Sequence, residues 1–445
     1  MHIRPRSIAS RALLTGALLA VSAGPASSQT APGVTGRVSV YVDAVNREAL
    51  DGARSNGMEI STAMNVESPE AAEGSGVDFR FDVRHSRAVQ GTRPERLSIY
   101  DAYVGAHVGT HTQLRVRAGH MWLQDLGTIG TLAGGLLEVG QARTTEGTRF
   151  RAGVFMGREP NAYETGYVPD VRKVGGYAAI ENGFLRRHVV GYTRITQGAL
   201  TERSVLSLTN FVPAGPKFFA YQVAELDVSG PAQGTGAAGL SYFLTNVRVT
   251  ATERVELSGS YNRGRSVDAR TLTSDVLNGR ALTPQATEGL RYESGSGRVT
   301  VEVFRGTRIY GSYALDRTNR DDALTGRVTV GGHASNILRS GFDVSGSDSR
   351  IDRPMGAYHS RYFSVGRTVG RAVYVSGDYS MSLSVIRFLR SDGIIIETRP
   401  WTRRFSGSGN ATLGRHFSLL LTVDYTRDDA QNELRTFSGL SYRFR

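Results

Sequence analysis

The last six residues, Leu440-Ser441-Tyr442-Arg443-Phe444-Arg445, carry the pattern from which the fold of this chain follows. Successive side chains of a strand point to opposite faces, so Leu440, Tyr442 and Phe444 would share one face. Ser441 and Arg443 would lie on the other face. A strand with one apolar face that ends in aromatic residues is typical of a strand lying against lipid.

The same alternation of apolar and polar residues recurs along the whole chain. Clear examples are residues 77–84, 149–156, 255–262, 299–303, 405–413 and 419–426. Period-two patterning at this density predicts strands, and no helical stripe of useful length accompanies it. After the N-terminal segment there is no apolar run of about 18 residues, which excludes a membrane-spanning helix.

The first residues have the pattern of an export signal. Arg4, Arg6 and Arg11 precede the apolar residues 12–21, and small residues at 26–28 follow. A basic start, a short apolar run and a small-residue cleavage site predict a secretory signal peptide over residues 1–28. Residues 29–445 would then form a single domain.

Composition narrows the class of protein further. The chain has no Cys, 53 Gly and only 13 Pro, and 40% of its residues are hydrophobic. It therefore has no disulfides or thiol chemistry, and few Pro residues would interrupt a hydrogen-bonded ladder. The formal charge is +12, or +9 without the three arginines of residues 1–28, and Lys173 and Lys217 are the only lysines.

The connections between the strands show a second pattern, in which short turns alternate with longer polar segments. Residues 109–111, 305–306 and 414–415 are short, whereas residues 158–171 and 264–289 are long. Short periplasmic turns and longer outer loops are typical of a transmembrane barrel. We predict an all-β fold, a single transmembrane antiparallel β-barrel of about 22 strands (18–22). Its first two strands would be residues 36–44 and 58–66, joined by an outer loop at 46–57.

The signal peptide, the alternating strands, the unequal connections and the terminal Tyr442-x-Phe444 together resemble Gram-negative outer-membrane β-barrel proteins of the porin-like type. Residues 98–104 and 114–119 are similar to a porin hairpin, and the resemblance covers residues 34–445. It implies an outer-membrane location, contact with lipid and lipopolysaccharide, and insertion by the barrel-assembly machinery. Leu440, Tyr442 and Phe444 would then be the closing-strand assembly signal.

Four arginines are candidates for the lining of the lumen: Arg115, Arg117, Arg149 and Arg151. By period two they lie on the polar side of their strands, where fixed positive charge would attract anions. The alternative is that they pair with nearby carboxylates and stiffen the wall. The carboxylates in question are Asp78, Asp82, Glu138 and Glu181.

Other kinds of site are not predicted. His107, His111 and His120 lie near one hairpin, but no carboxylate or Cys completes a metal-ligand set. There is no Gly-x-Ser-x-Gly elbow, no phosphate loop and no basic module with interleaved aromatic residues. We therefore expect no enzyme activity, no cofactor and no nucleic-acid partner.

The longest loop, residues 264–289, contains two segments that could form helical turns, residues 271–278 and 284–289. The loop could fold into the lumen, cap the pore or contact a partner. For the whole chain, a porin-like passive diffusion channel for small solutes is the first hypothesis, with anionic solutes as one option. The alternative is an occluded structural, adhesion or assembly-partner barrel, and a third class is an enzyme or a specific exporter.

Overall fold

The computed structural model describes residues 33–68, 75–91, 93–123, 126, 130–141, 147–161, 166–182, 186–230, 239–353, 355–390 and 394–444. Strands occupy nearly all of these residues, and neighbouring strands pair antiparallel. The predicted signal peptide, residues 1–28, lies outside the described residues.

The strands of the first half are β1 (Thr35–Ala49), β2 (Arg54–Glu67), β3 (Gly76–Gln90), β4 (Arg96–Val108), β5 (Thr112–Trp122), β6 (Thr131–Gln141), β7 (Thr148–Pro160), β8 (Tyr167–Asn182), β9 (Arg186–Gln197), β10 (Leu200–Ala214), β11 (Phe218–Ser229) and β12 (Gly239–Thr252). Those of the second half are β13 (Val255–Ser266), β14 (Leu290–Phe304), β15 (Thr307–Thr318), β16 (Asp321–Ala334), β17 (Phe342–Arg353), β18 (Gly356–Val369), β19 (Val373–Leu389), β20 (Ile395–Thr398), β21 (Trp401–Leu413), β22 (Phe417–Asp428) and β23 (Gln431–Phe444).

The sheet closes where the last strand meets the first. In the β1–β23 ladder, Val40 lies opposite Leu440 and Gly36 lies opposite Phe444. A side chain at position 36 would collide with the Phe444 ring, so glycine makes room for the terminal aromatic residue. Closure leaves no open edge, which a sheet in a bilayer requires because every backbone N–H and C=O must find a partner.

The barrel has 22 strand positions, which confirms the predicted strand number. The extra strand arises because β20 and β21 both pair with β19, where Thr398 lies opposite Ile386 and Trp401 lies opposite Leu383. Residues 399–400 interrupt one continuous strand line, and Pro400 has no N–H to donate to the ladder. The Pro400 carbonyl still accepts a bond of 2.8 Å from the Ser384 N–H.

Many strands extend further than the sequence indicated. The loop predicted at residues 46–57 narrows to residues 50–53, because the β1–β2 ladder continues as far as Glu48 opposite Arg54. The side chains of this pair form an ion pair of 2.9 Å. Strand residues beyond a bilayer face water on both sides and carry polar side chains, so they look like loop in the sequence.

The connection between β13 and β14 contains two helices, α1 (Ala269–Leu277) and α2 (Pro284–Glu288), close to the two predicted helical turns. Residues 264–266 of the predicted loop belong to β13. Across the described ranges, no helix is long and apolar enough to cross a membrane. We call the end of the barrel that carries this connection the loop end, and the end where β1 begins and β23 stops the terminus end.

Aromatic residues mark both ends of the outer surface. At the terminus end the Phe417 and Tyr442 rings lie 5.0 Å apart, and Phe444 lies 6.2 Å from Tyr442. At the loop end, Trp122 closes β5 and Trp401 opens β21. Aromatic girdles of this kind flank the apolar band of transmembrane barrels.

Candidate functional site

Alternating burial along the strands separates a lumenal face from an outer face. In β5, Gln113 and Arg115 are buried, whereas Leu114 and Val116 between them are exposed. Leu440 is likewise exposed on the outer face of β23. Polar residues therefore line the lumen, and the apolar set faces outward, as the alternation predicted.

The four predicted lumenal arginines face inward, and each forms an ion pair with a carboxylate of a nearby strand. Arg151 lies 2.6 Å from Glu138 and 2.9 Å from Glu181, and Arg115 lies 3.4 Å from Glu138. The remaining pairs are Arg117–Asp78 at 2.7 Å and Arg149–Glu181 at 3.7 Å, and the Tyr177 hydroxyl donates to Glu138. We call these residues the buried network.

Water has little access to the buried network, since the side chains of Arg115 and Arg151 are 6% and 9% exposed. In such surroundings a charge depends on its partner, and removing one partner of a buried pair typically costs about 3–5 kcal/mol. The network therefore stiffens this part of the wall. A direct part in attracting solutes stays a prediction for these four arginines.

An apolar cluster lies on the lumenal side of β5–β9, next to the buried network. Its buried members include Leu132 and Leu136 on β6, Phe155 on β7 and Leu126 from the β5–β6 connection. Leu126 packs against Gly191 of β9, where any side chain would collide with it. A leucine of the β5–β6 connection therefore lies on the inner wall at β9, three strands beyond β6, and narrows the lumen there.

Helix α1 provides a second inward contact. Arg270 forms ion pairs of 3.0 Å with Glu159 of β7 and 3.2 Å with Glu202 of β10. Leu272 and Thr273 of the same helix are buried. The long connection thus folds onto the β7–β10 wall, which is one of the three arrangements the sequence left open.

The N-terminus of α1 is capped by Asp268. Its carboxylate accepts a bond of 2.9 Å from the Thr271 backbone N–H and one of 2.7 Å from the Thr271 hydroxyl. These two bonds favour the ionised form and hold the pKa of Asp268 below its ordinary value. The cap stabilises the helix turn that carries Arg270.

The other part of the lumen carries a set of arginines that the sequence analysis did not single out. Each is paired with an acid, and in each pair the arginine is more exposed than the acid. For Arg308 and Glu302 the exposed fractions are 62% and 26%, and for Arg404 and Asp424 they are 52% and 16%. We call the whole set the water-facing arginines: Arg47, Arg308, Arg327, Arg404 and Arg435.

The arrangement places carboxylates against the wall and guanidinium groups toward the water of the lumen. Acid and base neutralise one another in total charge, yet a solute meets the positive layer first. Period two assigns these arginines to the polar face, but only the register and the side-chain pairing show which layer faces water.

The three histidines do not come together. His107 is buried and its strand position faces the lumen, whereas His120 lies at an outer-face position of β5. Within the described part of the chain, no three or more His, Asp or Glu side chains are grouped so that they could hold a metal ion.

The barrel is similar to solved structures at low sequence identity. A mutant of the ferric enterobactin receptor from Pseudomonas aeruginosa, in complex with enterobactin, matches with a TM-score of 0.53 and 9% identity, covering 94% of this chain and 82% of the receptor chain. OccAB4 from Acinetobacter baumannii matches with a TM-score of 0.45 and 8% identity, covering 94% and 99%. OpdQ from Pseudomonas aeruginosa matches with a TM-score of 0.45 and 9% identity, covering 93% and 99%.

No family model matches the chain, and no curated protein matches its sequence. At 9% identity, the match to the receptor shows the fold alone. The chain has the closed-barrel fold of Gram-negative outer-membrane proteins, which confirms the predicted resemblance at the level of architecture.

Proposed function

We propose that this chain is a passive diffusion channel for small solutes in the outer membrane of a Gram-negative bacterium, with a modest preference for anions. The observation that carries the proposal is the layer of water-facing arginines above wall-side acids. The proposal includes contact with lipid and lipopolysaccharide on the outer face, and insertion by the barrel-assembly machinery. It assigns no catalytic role.

The preference follows from electrostatics. Fixed positive charge in a water-filled passage concentrates anions, and the low-dielectric wall strengthens that field. Because each arginine has an acid beside it, the field is that of a row of dipoles and falls off faster than that of isolated charges. We therefore expect a weak preference that fades as salt shortens the screening length of about 10 Å at 0.1 M.

The inward contacts determine how wide the passage is. Leu126 lies on the β9 wall, and Arg270 fastens α1 to β7 and β10. Both contacts narrow the lumen beside the buried network. The water-facing arginines lie on other strands, so solutes would pass between the narrowed side and the arginine-lined side.

A second candidate function is an occluded structural barrel. The packing of the apolar cluster and the fastening of α1 favour it, because together they cover one side of the lumen. Current through single molecules separates the two functions, since an occluded barrel passes none.

The test is a planar-bilayer recording on the purified full-length protein in a salt gradient. The proposal predicts stable conductance steps and a reversal potential whose sign indicates anion selectivity. Arg308→Ser combined with Arg327→Ser should move that potential toward zero. Arg280→Ser, which alters an exposed arginine of the long connection, is the matched control and should leave it unchanged.

Two outcomes would contradict the proposal. A reversal potential whose sign indicates cation selectivity would show that the water-facing arginines do not set the selectivity. A reversal potential that is the same in the double variant would show this as well. A barrel that inserts but passes no current would instead support the occluded structural barrel.

A further inference from the structure

A group of charged residues lies on the outer face of β17 and β18. The Asp348 carboxylate is 2.8 Å from His359 Nε2 and 3.1 Å from Arg361 Nε. Beside them, Arg350 Nε lies 3.1 Å from the Asp352 carboxylate. We call these five residues the outer charge cluster. Each of the five has a partner within the cluster, and their side chains are 37–68% exposed.

The register places the cluster on the side that would face lipid. Asp348 lies opposite Val330 on β16 and opposite Arg361 on β18. Val330 is among the exposed apolar residues, as is Phe363, two positions along β18 from Arg361. The neighbours of the cluster are therefore the apolar residues of the outer band.

The cluster begins well inside that band. Strand β17 starts at Phe342 at the terminus end, and Asp348 is the sixth residue after it. A tilted strand crosses the hydrocarbon in about 9–11 residues, so Asp348 lies within the crossing segment. An arginine exposed to lipid at mid-depth destabilises the barrel, and an acid does so to a smaller extent. A site of this kind is expected where protein, rather than lipid, covers the surface.

Glycines are frequent at outer-face positions of the strands around the cluster. A Cβ added at Gly297, Gly311 or Gly407 would meet nothing within 4 Å. Packing inside this barrel therefore does not require glycine at these three positions. Lumenal glycines differ, since a Cβ at Gly153 would lie within 2.8 Å of the Tyr177 ring. Other glycines at outer-face positions of β14–β21 are Gly295, Gly326, Gly332, Gly346, Gly377 and Gly409.

Exposed bulky residues occur on the outer surface of both halves of the barrel, for example Val154 in the first half and Tyr313 in the second. Outer-face glycines are fewer in the described strands of the first half, where they are Gly36, Gly135 and Gly176. The outer-face glycines and the charges thus lie on the same side of the barrel. We call the outer surface of β14–β21, with the outer charge cluster at its centre, the glycine face.

We propose that the glycine face is the contact surface between two copies of this chain in the membrane. The cluster holds two arginines and two aspartates beside His359, so the same patch on a second copy offers each charge an opposite partner. A patch that complements itself is what a two-fold symmetric interface requires. Bare glycines allow two sheets to approach closely and exclude lipid from the charges.

A lipid phosphate is the competing occupant, and the composition of the cluster disfavours it. Asp348 and Asp352 would repel an anionic headgroup as strongly as the two arginines attract it. The inference depends on the proposed membrane location but not on transport. A conducting barrel that stays single would overturn the interface and leave the channel proposal intact.

Cysteine cross-linking of the full-length protein in outer membranes tests the interface, because the chain has no cysteine of its own. Gly346→Cys places a single thiol beside Asp348 at the centre of the glycine face, and Val154→Cys places one at mid-strand on the opposite outer surface. With a short bis-maleimide, we expect a cross-linked dimer from Gly346→Cys and little from Val154→Cys. Equal yields from both variants, or no dimer from Gly346→Cys, would overturn the proposal.

Native mass spectrometry in mild detergent provides an independent measurement. The unaltered protein should give the mass of two chains, and Asp348→Arg and Gly297→Trp should each give the mass of one. A gel shift on boiling identifies variants that have folded, so loss of the dimer cannot be confused with loss of the barrel. A single-chain mass for the unaltered protein, with or without bound lipid, would overturn the proposal.

Discussion

Replacing Glu138 with alanine tests whether the buried network supports the barrel. The Glu138 carboxylate binds Arg115 and Arg151 and accepts the Tyr177 hydroxyl. Glu138→Ala would leave two buried guanidinium groups with one acid fewer between them. Breaking a buried pair costs about 3–5 kcal/mol. Because Arg151 keeps Glu181 at 2.9 Å, we expect a loss of about 3 kcal/mol in the free energy of unfolding.

Glu302→Ala is the matched control. Glu302 lies 3.4 Å from Arg308, the same distance that separates Glu138 from Arg115, and both pairs join a glutamate to an arginine across neighbouring strands. The two pairs differ in burial, since the Arg308 side chain is 62% exposed and the Arg115 side chain is 6% exposed, and Glu138 additionally binds Arg151 and Tyr177. An exposed pair contributes about 0–1 kcal/mol, so Glu302→Ala should change stability little.

Both variants can be measured by urea unfolding in lipid vesicles, followed through the fluorescence of Trp122 and Trp401. The temperature of heating at which the gel mobility of the protein shifts gives a second measurement of stability. A difference of about 3 kcal/mol corresponds to more than a hundredfold change in the folding equilibrium. If the two variants lost the same amount, or if Glu138→Ala lost less than 1 kcal/mol, burial would not explain the strength of this network.

Three further predictions concern the closing strand and the long connection. Phe444→Asp places a charge on the outer face and should reduce insertion into the outer membrane sharply, whereas Arg443→Ser on the lumenal face should be tolerated. The heat-modifiable fraction of the protein in outer membranes measures both effects. Equal effects of the two variants would mean that the two faces of β23 are misassigned. Arg270→Ala should release α1 and raise the single-channel conductance or its fluctuation, whereas Arg280→Ala, in an exposed pair of the same connection, should change neither. While Asp268 is ionised, its cap stabilises α1 by about 0.5–2 kcal/mol. Because the pKa of Asp268 is lowered in the folded state, this stabilisation is present at neutral pH and is lost as the pH falls through that pKa. Acid should therefore speed proteolysis of the connection, and Asp268→Ala should make the cleavage rate insensitive to pH in that range.

Much of the architecture follows from local pattern. Alternation with period two assigns Leu440 and Phe444 to the outer face and Arg115 to the lumenal face without any knowledge of their neighbours. The strand number follows as well, because about 9–11 residues cross a bilayer and the turns separate one crossing from the next. The full length of the strands does not follow from local pattern. In the β1–β2 ladder, for example, the segment from Asn46 to Glu48 is polar on both faces and has no alternation that would mark it as strand.

The sequence by itself determined the fold, the face on which each strand residue lies and the way the barrel closes, because these depend on residues that are near one another or on a repeating period. Only the tertiary structure decided which lumenal arginines face water. Arg115 is buried against Glu138 of the next strand, whereas the Arg308 side chain remains mostly exposed beside Glu302. The placement of α1 depends on Arg270 reaching Glu159, more than a hundred residues away. Contacts of this length have no periodic signature, because they arise only once the barrel has closed and brought distant strands to one wall.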